Sequence, residues 1–121
     1  MDRERTLQEL KEEIRVFCEK RDWGQFHDAK ELAVALATET GELLEHFRYR
    51  DADEVSSIME DDDAREEVEN ELADVFYHVL RIAQLYDIDI SEAFDAKLEE
   101  IGEKYPVEKA KGSNKKYDEL E

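Results

Sequence analysis

Two pairs of acidic residues pose the chemical question in this chain. Glu39 and Glu42 stand three apart in LATETGELLEHF (36–47), and Glu71 and Asp74 stand three apart in ENELADVFYHV (69–79). At about 100° per residue, side chains three apart share a helix face. Each pair can therefore aim two carboxylates at one point. Four carboxylates with no cysteine favour a hard cation, Mg2+ or Mn2+, over Zn2+. Mg2+ keeps several waters and bridges to substrate phosphates, so a phosphorylated ligand could be held through the metal.

Spacing alone decides little in a chain with 35 acidic residues. Glu9/Glu12, Asp63/Glu66 and Glu66/Glu69 have the same spacing and read as solvated surface. Glu39 differs because it falls on the stripe of Leu32, Leu36 and Leu43. A carboxylate buried there must be neutral, paired with a base or bound to a metal. Two readings follow: a metal ligand, or a buried partner of Arg15 or Arg81. Gly41, between the two glutamates, costs about 1 kcal/mol relative to Ala inside a helix, and its missing side chain leaves room for another helix or a ligand. Beyond Glu71 and Asp74 the line continues through His78, Ile82 and Leu85, so that helix is expected to be covered on two sides, as in a bundle that dimerises. A di-iron bundle would need Glu-x-x-His on two helices. The residues three before His27, His46 and His78 are Gly24, Leu43 and Val75, which excludes it.

The elements that must carry these residues are helices. Leu7, Leu10, Ile14 and Phe17 predict a first helix over 5–20. RDWGQFHDA (21–29) breaks the pattern, and Asp28, with Glu31 three residues on, caps a second helix running to about Phe47. Residues 48–63 are polar and read as a turn-rich connection with at most one helical turn. A third helix over 63–86 has an apolar stripe of Val68, Leu72, Val75, Phe76, Val79, Leu80 and Ala83. Residues 86–91 connect to a fourth helix over 92–103, capped by Ser91. From residue 103 the chain reads as an extended basic tail, with Lys109, Lys111, Lys115 and Lys116. No repeat and no strand-like alternation appears, so the expected architecture is all-α, one domain over 1–121 built as a four- to five-helix bundle.

Composition narrows the partners. A net charge of −18 repels a nucleic acid backbone. Cys18 is the single cysteine, so no intrachain disulfide forms, consistent with a reducing, cytoplasmic setting. The N-terminus lacks an apolar signal core, and no run approaches the roughly 18 apolar residues of a membrane span.

RDWGQFHDAKELAVALATETGELLEHFRY, ENELADVFYHVLRIA and KLEEIGEKYPVEKAKGSNKKYDEL together resemble the MazG-like, all-α nucleotide pyrophosphohydrolases, within their dCTP pyrophosphatase-like branch. The likeness runs from about Leu7 to Leu120, and its E-x-G-E-L and E-L-x-D-V cores with the later K-Y-P carry it. The resemblance implies Mg2+-dependent hydrolysis of (deoxy)nucleoside triphosphates to monophosphate and pyrophosphate, cleansing the nucleotide pool. Glu39, Glu42, Glu71 and Asp74 match the metal-binding and catalytic carboxylates. A metal-activated water would attack the α-phosphorus. Trp23 and Tyr49 match aromatic positions at the base, His78 a position one turn after the second motif, and Lys97 and Lys104 basic positions near the phosphates. Family members assemble as homodimers or homotetramers. Four positions depart from the family pattern: Glu31 and Ile101 stand where Asn is frequent, Tyr49 where Trp is usual, and His78 where Tyr is common. They argue against carrying a strict dCTP preference over unchanged.

Plainer roles stand beside these. Trp23 and Phe26 could plug one end of the bundle, His27 reads better as a structural hydrogen-bonder than a catalyst, and Cys18 reads as core filling. His78 could be a partly buried polar residue at a dimer seam, and Tyr49 a surface residue. The second functional reading is a non-catalytic helical module that binds a nucleotide or a protein, motivated by the Glu31 and Ile101 departures.

Overall fold

The computed structural model covers residues 1–121 and contains six α-helices and no strand. The helices begin where short polar side chains can satisfy the free backbone N–H groups of a first turn. Thr6 caps α1 (Leu7–Lys20), and Asp28 caps α2 (Ala29–Glu45), accepting from the Glu31 N–H at 2.8 Å. Asp51 caps α3 (Ala52–Glu60) in a reciprocal capping box with Glu54. Asp61 ends α3 and caps α4 (Asp62–Leu85), and Asp89 caps α5 (Ile90–Lys104). A four-residue α6 (Val107–Ala110) follows Pro106. Short 3-10 turns lie at Trp23–Phe26 and Tyr117–Glu119.

The chain forms two compact units, Met1–Ile88 and Asp89–Glu121. In the first, α4 is the central element and packs against α1, α2 and α3. Its core is small: Cys18, Leu32, Val68, Leu80 and Ala83, together with the buried Arg81. Cys18 fills core space, as its apolar setting on α1 suggested, with its Sγ 3.4 Å from the Tyr77 hydroxyl. The Tyr86 hydroxyl accepts from the Ala29 N–H at 2.7 Å, tying the end of α4 to the start of α2. In the second unit the Tyr105 hydroxyl accepts from the Tyr117 N–H at 3.1 Å, and the two rings meet edge to face.

Several sequence expectations need correction. Residues 48–63 hold a full helix, α3, whose half-buried Val55, Ile58 and Met59 face α4 at helical spacing. The architecture is all-α with six helices rather than four or five. The cap of α5 is Asp89 rather than Ser91, because Glu92 lies three residues on, where its N–H reaches the Asp89 carboxylate at 3.0 Å. The tail is not extended throughout, since α6 and the closing 3-10 turn interrupt it. Leu72 and Phe76, expected in the buried stripe of α4, are 51% and 44% exposed. No atom lies within 4 Å of a Cβ built at Gly41, so no other helix of this chain uses the room it leaves. No helix is long and apolar enough to cross a membrane.

Candidate active site

Packing of α2 on α4 brings the two acidic motifs together. Glu39, Glu42 and Glu71 each offer an oxygen within 4.8 Å of the others. Asp74, one turn further along α4, is exposed and lies outside that group of three, but its charge acts on both Glu39 and Glu71. Glu39 and Glu71 are half-buried, and the Oε2 atom of each is buried with no hydrogen-bond partner.

The pairing of Glu39 with an arginine is contradicted. Arg15 binds Glu12 and Glu19 along its own helix. Arg81 donates from Nε to His27 Nδ1 at 3.0 Å and from Nη1 to Gln84 Oε1 at 2.5 Å. Glu39 is left among acids alone. Burial raises its pKa most, followed by hydrogen bonding and charge from Glu42 and then the charges of Asp74 and Glu71, and together they push it up to about 7. The Glu71 carboxyl is raised by burial and by Glu42 and Asp74, with His46 opposing. Orphaned, buried oxygens on two facing helices are costly unless a cation or a proton meets them. An all-oxygen set of this kind fits a hard divalent cation.

The Trp23–Phe26 turn joins α1 to α2. Trp23 is 38% exposed and meets the rings of Phe17 and His27 edge-on, at centroid distances of 5.7 Å and 6.2 Å. His78, one turn beyond Asp74, holds its Nδ1 2.7 Å from the Asp74 carbonyl oxygen. Tyr49 is 91% exposed in a left-handed conformation, with the Arg48 guanidinium 4.8 Å over its ring. Lys97 and Lys104 lie on α5 in the second unit, and both bind Glu100 there, at 3.1 Å and 3.3 Å. Lys104 also lies 5.0 Å over the Tyr117 ring.

Two features escaped the sequence reading. His46 sits one helical turn after Glu42 and acts on Glu71 from the α2 side. Its spacing of four from Glu42 was visible, but a test for Glu-x-x-His passes over it. In the sequence Arg81 reads only as a partner for Glu39, since its bond to His27 spans 54 positions.

Comparison with known proteins identifies the family. Residues 34–120 match the MazG-like family. The chain belongs to the MazG-like family. Curated relatives of this MazG-like chain include proteins named dCTP pyrophosphatase 1 from Mus musculus and Homo sapiens. Each is 32% identical over 117 residues, which is 97% of this chain and 69% of the relative. A crystal structure of a pyrophosphatase from Archaeoglobus fulgidus superposes with a TM-score of 0.76 at 37% identity. The match covers 82% of this MazG-like chain and 91% of the archaeal one.

Proposed function

We propose that this MazG-like protein is an Mg2+-dependent nucleoside triphosphate pyrophosphohydrolase, releasing monophosphate and pyrophosphate and so cleansing the nucleotide pool. The observation that carries the reading is the meeting of Glu39, Glu42 and Glu71 within 4.8 Å, two of them with orphaned buried oxygens and none paired with a lysine or arginine. The dCTP pyrophosphatase relatives supply the reaction class and the substrate class.

In this reading Glu39, Glu42 and Glu71 hold the metal, and Asp74 completes the set from the next turn of α4. When bound, Mg2+ neutralises phosphate charge and lowers the pKa of a coordinated water. The chain's own residues then position the substrate. Trp23 offers an aromatic face to the base, and His78 a polar ring one turn from Asp74. On the family match alone, Tyr49 adds a second aromatic face, and Lys97 and Lys104 supply cations to the phosphates. A carboxylate of the cluster is suited to accept the proton of the attacking water. A homodimer or homotetramer would cover apolar surface that one chain leaves open, including Val34 and Leu44 on α2, each 57% exposed.

The test is pyrophosphate release from the four ribo- and four deoxyribonucleoside triphosphates, with Mg2+, without metal, and with Glu39→Gln. Release that needs both the metal and Glu39 supports the enzyme and ranks its substrates. A folded protein that releases nothing from any of them overturns it.

A further inference from the structure

Arg81 is 2% exposed, and none of the chain's 35 acidic residues is its partner. Its hydrogen bonds go to neutral acceptors, His27 Nδ1 at 3.0 Å and Gln84 Oε1 at 2.5 Å. A buried guanidinium without a carboxylate is expensive. In so acidic a chain a carboxylate partner would have been easy to supply. The arrangement therefore calls for a role that a salt bridge would not serve.

The Arg81–His27 bond fixes the state of His27. Arg81 Nε–H can only donate, so Nδ1 of His27 must present its lone pair. In a neutral ring the proton then sits on Nε2, on the edge away from Nδ1. Burial and the charges of Arg81 and His78 all favour that neutral ring. His27 is also the residue that closes the Trp23–Phe26 turn, its backbone N–H donating to the Gly24 carbonyl at 3.3 Å. Its ring meets the Trp23 ring edge-on at 6.2 Å. Gly24 faces the same guanidinium, with Arg81 Nη2 4.0 Å from the place a Cβ would occupy. Arg81 thus bonds the residue that closes the turn and faces Gly24 within it, and its helix carries the acidic motif. Glu71, Asp74, His78 and Arg81 follow one another at spacings of three and four residues along α4. Ten residues separate Glu71 from Arg81, about 15 Å of helix at 1.5 Å per residue.

We infer that Arg81 is a positioning residue for nucleotide recognition. It clamps the Trp23 turn to α4 at a set distance from the acidic cluster and holds His27 as an Nε2–H donor for an acceptor on the base. This rests on the function proposed above, but the clamp can be read without turnover. Trp23 is the only tryptophan, so its emission reports on the turn directly. In the ligand-free protein, nitrogen NMR should show His27 with a bare Nδ1 and a protonated Nε2.

Arg81→Met removes the charge and both donors while keeping an apolar stem. Its Trp23 emission should shift to the red and become more open to acrylamide quenching. The Mg2+-induced thermal shift should stay. KM should rise about tenfold with kcat within about twofold. Arg81→Lys cannot reproduce the Nε donation and should not rescue KM. An unchanged Trp23 emission and KM overturn the inference, as does a fall in kcat at constant KM. If Arg81→Met does not fold, His27→Asn decides. Its Oδ1 can still accept from Arg81, so the emission should stay near that of the native protein while the lost Nε2–H raises KM; a native KM overturns the donor role. Wild-type protein with the expected NMR and emission but no hydrolysis would sink the enzymatic reading and leave the clamp standing.

Discussion

Glu39 is where sequence and structure bear hardest on each other. A charge on a leucine stripe demanded a partner, and the only partners found are other acids. Two expectations follow. Glu39→Gln should lower kcat by at least about 100-fold while leaving the metal-free melting temperature unchanged or higher, because a desolvated charge disappears. Parallel assays of pyrophosphate release and thermal unfolding in chelator would show it; a large loss of stability would mean that the carboxylate is structural. The second concerns pH. The folded-state pKa of Glu39, about 7, lies above its ordinary value of 4.5, so the folded chain binds this proton more tightly than the unfolded chain. Its contribution to stability is fully present below pH 4.5 and is lost as pH rises through about 7. His27 runs the other way, since its depressed pKa costs stability as pH falls below 6.5. Urea titrations of the metal-free protein and of Glu39→Gln across this range separate the two: the difference between them should shrink as pH falls. A difference that grows toward low pH would contradict the assignment.

At the scale of elements, caps and stripes were mostly legible. The spacing of Leu7, Leu10 and Ile14 marks α1, and Asp28 caps α2 as Glu31 three residues on suggested. The failure was α3. Its sequence is polar enough to pass for a loop, but Asp51 and Glu54 form a full capping box, and Val55, Ile58 and Met59 need only one sided cover from α4. Asp51→Ala should therefore cost about 1 kcal/mol of stability while leaving the Mg2+-induced shift in melting temperature as it was. A weakened metal response would tie α3 to the site. Gly41→Ala should stabilise by about 1 kcal/mol, since its added Cβ meets nothing in this chain. A rise in KM with that gain would point to a ligand or second copy that comes close there.

At the scale of the whole molecule, the net charge of −18 and the cluster of acids both resist folding without counterions. Millimolar Mg2+ should raise the melting temperature well beyond NaCl of matched ionic strength, with a gain in stability of about 2.7 kcal/mol if it reaches 100 times its Kd. Glu39→Gln should lose the excess and keep only the screening part, which differential scanning fluorimetry would resolve; equal shifts for Mg2+ and NaCl would deny a specific site. The sequence by itself determined the all-α class, most helix boundaries and the four acidic residues of interest. Those follow from local rules, periodicity and capping, that neighbours along the chain can satisfy. Family membership was legible for the same reason, because its motifs are contiguous. Only the tertiary structure decided what Glu39 faces, because two glutamates on one helix and one on another meet only when α2 packs on α4. It alone freed Glu39 from the arginines by giving Arg81 to His27. Contacts of that kind join residues tens of positions apart, and no local period records them.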